Sequence, residues 1–241
     1  MNILDFTYDK FANGECDLLD AHCHVKRTQD FKLICFGLLP SGYKFDVLSQ
    51  DENIQVGLGF HPYAATDLTA ASGTPSDPIS AELQVFEQTL REVQFVGEVG
   101  LDFGDKHIAT RDTQVEIFTK ICDLLAGTKG KAVSIHTVKS ATEVMDILEA
   151  SCAANGNTII MHWFSGSSEE LKRALDSGFY FSVGPKMLAT NKGYEYIRQI
   201  PEDRMFIETD LPWDGEEVTP EEHLNLLNDF AMELRNLKTP L

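Results

Sequence analysis

The chain has 241 residues, the length of one large domain, and its 43% hydrophobic and 24% charged residues exclude disordered and fibrous classes. Its 20 basic and 38 acidic residues give a formal net charge of −18, which argues against binding nucleic acid through a broad basic surface. We expect one soluble domain that spans residues 1–241.

The cysteines and the N-terminus indicate a cytoplasmic protein. The five cysteines are odd in number and form no C-x-x-C pair, which favours a reducing compartment over a disulfide framework. The first residues, Met-Asn-Ile-Leu-Asp, lack the order of a signal peptide. No apolar run approaches the ~20 residues of a membrane span, so we expect no contact with a membrane.

Eight short apolar runs rich in β-branched residues alternate with segments of helical period. These predicted strands are Leu18–Ala21, Lys32–Gly37, Ile54–Phe60, Phe95–Glu98, Ala132–Ile135, Thr158–Met161, Phe179–Val183 and Met205–Ile207. Strands that alternate with helices pair in parallel, and eight such units close into a (β/α)8 TIM barrel of the α/β class. A doubly wound open sheet is the alternative, but nothing in the sequence marks the strand-order switch that it needs.

The connection after the first predicted strand is too short for a helix. Val25 to Phe31 gives about seven residues, whereas a crossover with its helix needs at least ~10–12. We therefore predict a distorted barrel in which the first helix is missing or much shortened. Residues 66–80 are predicted to form a polar loop rather than a linker between domains.

Helix signals are clear in the second half of the chain. An apolar stripe from Val115 to Leu125 is followed by Gly127, which predicts a helix that ends there. Three pairs of residues predict capping boxes at helix starts. They are Ser140 with Glu143, Ser167 with Glu170, and Thr219 with Glu222.

Histidines and carboxylates gather where the predicted strands end. They are His22, His24, His61, Glu98, His136, His162 and Asp210. In a β/α barrel these strand ends converge on one mouth, and the two histidines of a His-x-His strand lie on the same face. Taken singly, each histidine is typical of an ordinary structural residue. We interpret His107 and His223, which lie elsewhere, as surface or helix residues.

Taken together, these residues predict a metal site. Such groups would be costly to leave unpaired in one cleft, and two divalent cations would neutralise the carboxylates while imidazoles act as neutral ligands. Mixed nitrogen and oxygen ligands suit zinc, manganese, iron or cobalt, and magnesium is an alternative that prefers more oxygen.

At these positions the chain resembles the TatD family of metal-dependent nucleases, within the amidohydrolase-type barrels. The resemblance rests on six segments in family order: Asp20–His24, Gly59–Pro62, Gly97–Asp102, Ile135–Thr137, His162–Phe164 and Glu208–Pro212. Three further stretches resemble the QatD subfamily, which is encoded in bacterial Qat anti-phage defence operons. These are His162–Ser167, Phe181–Leu188 and Lys192–Gly193.

The resemblance implies a role for each candidate. His22 and His24 bind the first metal, His136 and His162 bind the second, and Glu98 bridges the two. Asp210 ligates the first metal and acts on the attacking water, while His61 contacts the scissile phosphate. The catalytic residues are thus Asp210, Glu98 and His61. Asp102 and Glu208 are interpreted as residues that orient the ligands.

Two departures from the family affect substrate binding. Val138 replaces a common arginine, which leaves the neighbouring Lys139 as a candidate for binding substrate, and the stretch from Trp213 to Val218 lacks the usual basic residues. Aromatic residues near the mouth are predicted to stack on unpaired bases, chiefly Trp163 and with it Trp213, Tyr63 and Phe103.

The leading hypothesis is a two-metal phosphodiester hydrolase, an exonuclease-like deoxyribonuclease that acts on single-stranded DNA ends in bacterial anti-phage defence. The second is an amidohydrolase or phosphoesterase of a small molecule, which the acidic composition favours. The third is a metal-binding subunit of a larger defence complex, whose protein partners come from the same operon.

Overall fold

In the computed structural model, the described residues are 1–25, 31–43, 53–70, 77–213 and 217–238. Eight parallel strands, β1 to β8, pair in sequence order in one sheet. They are Leu19–Cys23, Lys32–Phe36, Ile54–Phe60, Phe95–Asp102, Ala132–Val138, Thr158–His162, Tyr180–Val183 and Met205–Ile207. The predicted barrel is therefore confirmed, and each predicted strand overlaps an observed one.

Helices alternate with the strands. Within the described residues the α-helices, α1 to α9, are Tyr8–Ala12, Pro62–Ala70, Pro78–Leu90, Arg111–Ala126, Ala141–Ser151, Ser168–Asp176, Pro185–Leu188, Asn191–Gln199 and Pro220–Lys238. Short 3₁₀ helices cover Ile3–Phe6, Pro40–Gly42, Ile108–Thr110 and Glu202–Arg204. In the described part of the chain, no helix combines the length and the apolar character needed to cross a membrane.

The first and last strands meet at their carboxyl ends. The backbone N–H of Asp210 donates to the carbonyl of His22 at 2.9 Å, and the N–H of His24 donates to the carbonyl of Leu211 at 2.7 Å. These bonds bring the end of β8 against the end of β1, so that the barrel is nearly closed. Closure also joins two regions of the sequence that supply candidate site residues.

Of the two expectations about connections, one lies largely outside the described residues and the other is wrong in part. The predicted absence of the first helix concerns the connection between β1 and β2, where residues 26–30 lie outside the described residues. The predicted loop over 66–80 is wrong at both ends, because α2 extends to Ala70 and α3 begins at Pro78. Residues 71–76 of that loop are also outside the described residues.

Two of the three predicted capping boxes form. Ser167 and Glu170 cap α6 reciprocally, and Thr219 and Glu222 do the same for α9. The box at Ser140 is wrong, because its hydroxyl donates to the carbonyl of Leu101 at 2.7 Å instead of capping α5. That bond ties the start of α5 to β4.

The core is divided by the strands into an inner and an outer part. Side chains alternate along β2, where Ile34 and Phe36 belong to an inner cluster and Leu33 and Cys35 to the larger cluster under the helices. The alternation is interrupted in β1, β3 and β4, where the register with the neighbouring strand shifts. Such bulges re-aim side chains, and here they lie in the strands that precede or carry the candidate histidines and Glu98.

Candidate metal centre

The candidate residues from six strand ends line one cavity of about 530 Å³ at the C-terminal mouth of the barrel. The lining includes His24, His61, Glu98, His136, His162 and Asp210, together with Tyr63, Trp163, Lys186 and Trp213. His22 lies beneath them and is fully buried. The structure thus brings together all six predicted metal ligands, and it places His61 beside them.

Glu98 occupies the middle of this cluster. Its carboxylate is buried, and five imidazole rings surround it. Oε2 lies 3.3 Å from Nε2 of His22, 3.5 Å from Nε2 of His24 and 3.3 Å from Nε2 of His61. Oε1 contacts Nδ1 of His136 and lies 3.8 Å from Nε2 of His162. Each oxygen therefore faces its own set of imidazoles, as a carboxylate that bridges two cations would require.

Asp210 lies near three of the same histidines and lines the cavity. Its Oδ1 is 3.6 Å from Nε2 of His24 and 3.8 Å from Nε2 of both His22 and His162. The residue has φ of 56°, a left-handed conformation that is uncommon outside glycine. Burial raises the pKa of Asp210 to about 6. Such a carboxyl group can exchange a proton near neutral pH.

Hydrogen bonds orient the imidazoles of His24 and His162. His24 donates from Nδ1 to the carbonyl of Phe36 at 2.8 Å, and His162 donates from Nδ1 to Glu208 Oε2 at 2.8 Å. In their neutral forms both rings therefore present an Nε2 lone pair to the cluster. Glu208 is fully buried behind His162, where it orients this ring as the sequence predicts.

The other two rings differ from these: His136 turns the other nitrogen to Glu98, and His61 carries its proton on the other nitrogen. Nε2 of His136 donates to Asp102 Oδ2 at 3.1 Å, so its Nδ1 faces Glu98. Nδ1 of His61 instead accepts the backbone N–H of Tyr63 at 3.1 Å, which leaves the proton on Nε2 of the neutral ring. His61 therefore presents a hydrogen-bond donor to the cavity, which suits a contact with a carboxylate or phosphate oxygen better than a bond to a metal.

The buried atoms of the cluster fit a metal ion. Nε2 of His22 is buried and has no hydrogen-bond partner among the described residues, whereas Nδ1 of the same ring contacts Ser134 Oγ at 2.7 Å. Among the described residues, ligand atoms within 4.8 Å of one another define four groups, three of them in this cluster: His22–His24–Asp210, His22–Glu98–His162 and His61–Glu98–His136. The first group contains three of the ligands predicted for the first metal. The predicted pairing of His136 with His162 is not among these groups, but both rings face Glu98 Oε1, and their centroids are 6.5 Å apart.

The charge state of the cluster follows from its burial and its carboxylates. Burial alone lowers the pKa of a histidine, and it holds that of His22 well below the usual value. In His136 and His162 burial is outweighed: Glu98 and Asp102 raise the pKa of His136 to about 9, and Glu208 and Glu98 raise that of His162 to about 10. Without a metal ion, protons on these two rings compensate the carboxylates.

The residues predicted to bind substrate separate into two groups. Trp163 lines the cavity, as do Trp213 and Tyr63. Lys139 does not line it: its ammonium pairs with Asp105 Oδ1 at 2.8 Å and its side chain is 63% exposed. Phe103 also lies outside the cavity, packed under the guanidinium of Arg111.

Sequence reasoning missed Lys186 and His223. Lys186 follows β7 directly after Gly184 and Pro185, at a strand end where no candidate was predicted. His223, interpreted from the sequence as a surface or helix residue, is fully buried in α9, and its Nε2 lies 2.6 Å from Asp20 Oδ2. A lysine at a strand end of a barrel was a usable signal, whereas nothing in the sequence marks the buried histidine.

This is a (β/α)8 barrel with a histidine and carboxylate centre at the carboxyl ends of its strands. The sequence model described as TatD related DNase matches residues 43–237. The chain belongs to this TatD family of metal-dependent hydrolases.

Individual relatives agree with the assignment. The chain is 31% identical over 172 residues to the uncharacterized metal-dependent hydrolase YabD of Bacillus subtilis, a match that covers 70% of this chain and 62% of YabD. It is 28% identical over 159 residues to deoxyribonuclease Tat-D of Schizosaccharomyces pombe, covering 65% of this chain and 50% of that protein. The chain thus spans less than two thirds of either relative.

A solved structure confirms the fold. The TatD family hydrolase of Entamoeba histolytica superposes with a TM-score of 0.71 at 18% identity, covering 92% of this chain and 91% of the other. At this identity, the similarity supports the shared barrel.

Proposed function

We propose that the protein is a two-metal phosphodiester hydrolase that removes nucleotides from the ends of DNA. The observation that carries the proposal is the environment of Glu98, whose two oxygens face different imidazoles. His22, His24 and Asp210 would hold one cation, and His136 and His162 the other, with Glu98 between them. The bound cations would supply a water of lowered pKa and positive charge at the reacting phosphate.

The chain's own residues supply proton transfer and orientation. Asp210, with a pKa of about 6 and its side chain 21% exposed, would accept the proton of the attacking water. Burial lowers the pKa of His61, so the ring is neutral at physiological pH, and its Nε2–H would donate to a non-bridging phosphate oxygen. Family membership and the deoxyribonuclease name of the S. pombe relative support DNA as substrate.

The test is degradation of an end-labelled DNA oligonucleotide with Mn²⁺, Mg²⁺ or Zn²⁺, with a chelator arm in parallel. We expect the wild-type chain to shorten the strand only with metal, and Asp210→Asn to lower the rate at least ~100-fold. Asp105→Asn is the matched control, because Asp105 is an exposed carboxylate outside the cavity. Equal rates for wild type and Asp210→Asn would refute the mechanism.

A small-molecule substrate is the second candidate, and the size of the cavity favours it. A volume of about 530 Å³ falls within the range of small-ligand sites, which is roughly 300–1,000 Å³. The same metal centre would then act as a phosphoesterase or an amidohydrolase. A panel of phosphodiesters, phosphomonoesters and amides, assayed with the same metal, distinguishes this candidate from the nuclease.

We further propose that the protein acts in bacterial anti-phage defence, in the cytoplasm and with protein partners from its own operon. The resemblance of residues 162–167 and 181–188 to QatD supports this role. The structure joins none of the five cysteines in a disulfide, which agrees with a reducing compartment. Plaque counts on cells that carry the complete operon test the proposal: Asp210→Asn should abolish protection. Protection that persists with this variant would favour a non-catalytic subunit.

A further inference from the structure

Lys186 lies between the two tryptophans of the chain at the rim of the cavity. Its Nζ is 4.3 Å from the ring centroid of Trp213 and 5.6 Å from that of Trp163. The three residues follow three consecutive strands, β6, β7 and β8. We call them the Trp–Lys subsite.

Both tryptophans are fixed by hydrogen bonds. The indole N–H of Trp213 donates to the carbonyl of Thr209 at 3.0 Å, and the backbone N–H of Trp163 donates to Glu208 Oε1 at 3.2 Å. Trp163 has φ of 39°, a strained conformation for so bulky a residue. The same two neighbours, Thr209 and Glu208, adjoin Asp210, so the subsite is built onto the metal centre.

The ammonium of Lys186 is available to an anion. Among the described residues it has aromatic contacts but no ion pair or hydrogen bond, and it is the only lysine or arginine that lines the cavity. Cation–π contact leaves its three N–H donors free. Lys139, by contrast, is already paired with Asp105. The carboxylates of the cavity, Glu98 and Asp210, are themselves surrounded by imidazoles.

We infer that the Trp–Lys subsite binds the nucleotide next to the scissile phosphate in a single-stranded DNA end. This inference rests on the proposed nuclease function. Lys186 takes the phosphate of that nucleotide, and the indoles stack on its base, which only an unpaired base permits. One lysine can bind one phosphate, whereas tight binding of a long duplex needs contacts to many phosphates. The subsite therefore favours a strand end over a long duplex.

Intrinsic fluorescence tests the inference directly, because the chain has two tryptophans and both belong to the subsite. The full chain is titrated with a single-stranded tetranucleotide in the Asp210→Asn background with Mn²⁺, so that the strand stays intact. We expect quenching, an affinity about tenfold lower with Lys186→Met, and near-complete recovery with Lys186→Arg. The slope of log affinity against log salt should fall by about 0.7 with Lys186→Met.

Lys139→Met is the matched control and should bind as the parent does. Equal affinity of Lys186→Met and Lys139→Met, or equal quenching by a blunt hairpin duplex, overturns the inference. In the otherwise wild-type chain, Lys186→Met should raise KM for single strands more than it lowers kcat. Binding through Lys186 without degradation under any metal refutes the nuclease alone, and degradation with an unchanged KM refutes the subsite alone.

Discussion

Replacement of Asp20 should show how much the buried network behind the metal centre contributes to stability. The Asp20 carboxylate is fully buried. Its Oδ1 accepts the backbone N–H groups of His22 at 3.2 Å and Thr209 at 3.0 Å. Its Oδ2 accepts the hydroxyl of Thr209 at 2.6 Å and lies 2.6 Å from Nε2 of His223. One side chain therefore joins β1, the end of β8 and α9.

The expected cost follows from the groups left without a partner. In Asp20→Ala, the Thr209 hydroxyl and His223 Nε2 can still pair, since they are 3.1 Å apart. Two buried backbone N–H groups then have no acceptor, and at ~1–3 kcal/mol each the loss in unfolding free energy is about 2–6 kcal/mol. Asp20→Asn keeps the acceptor at Oδ1. Its NH₂ can donate to Nε2 of His223 when that ring carries its proton on Nδ1, which has no hydrogen-bond partner among the described residues. We expect Asn to cost about 1–2 kcal/mol.

Urea denaturation followed by far-UV circular dichroism, with a chelator present, measures both variants. The difference between them is the informative quantity, because it isolates the two backbone donors. A loss below ~1 kcal/mol for Asp20→Ala, or equal losses for the two variants, would refute the reasoning. Such a result would mean that water replaces the carboxylate.

Four further predictions concern the metal centre and the barrel. Glu208→Gln, which removes the charge behind His162, should weaken metal binding about 10–100-fold in competition with a chelating dye. Because the pKa values of His136 and His162 are raised to about 9 and 10, metal loading at pH 7.5 should release about two protons, measurable by calorimetry in two buffers. For the same reason, the stability that these rings give the metal-free protein is complete below pH 6.5 and lost as the pH rises through 9 and 10. Gly59→Ala places its Cβ 1.8 Å from a carbonyl oxygen after β2 and should lower stability by at least ~1–3 kcal/mol in thermal melts, while Gly127→Ala should not.

The barrel and its ligand cluster could be predicted because both depend on local patterns. Strands of a parallel barrel are buried on both faces, so they read as continuous apolar runs, and β3 and β8 match their predicted bounds. The last residues of each strand lie at the mouth of the barrel, so a predicted strand end identifies the residues of the mouth to within one or two positions. That is why His24, His136 and Asp210, far apart in sequence, could be placed in one cavity.

The orientation of individual side chains could not be predicted, because it depends on contacts between distant residues. Asp20 and His223 are 203 positions apart, and a buried histidine on an amphipathic helix has no signature of its own. The register shift between Val96 and Val99, which turns Glu98 inward, also leaves no trace in the composition of β4. The sequence makes Lys139 a candidate for binding substrate because it adjoins Val138, but in the structure its backbone has φ of 53° and its ammonium pairs with Asp105.

The acidity of the chain is compatible with the proposed DNA substrate, because salt screens charges that lie far from the cavity. Residues 202–241 hold eleven acidic and three basic side chains, and acidic residues of α9 such as Glu221, Asp229 and Glu233 are exposed. At 0.1 M salt, charges are screened beyond about 10 Å. An acidic surface farther than this from the cavity would therefore slow the approach of a DNA strand more than it would weaken the contacts of the bound strand. Within the cavity, screening is weaker, and there the two cations of the proposed centre would add their charge to that of Lys186, against the carboxylates Glu98 and Asp210. A net charge of −18 therefore disfavours a long track along DNA and is compatible with the proposed binding of one strand end.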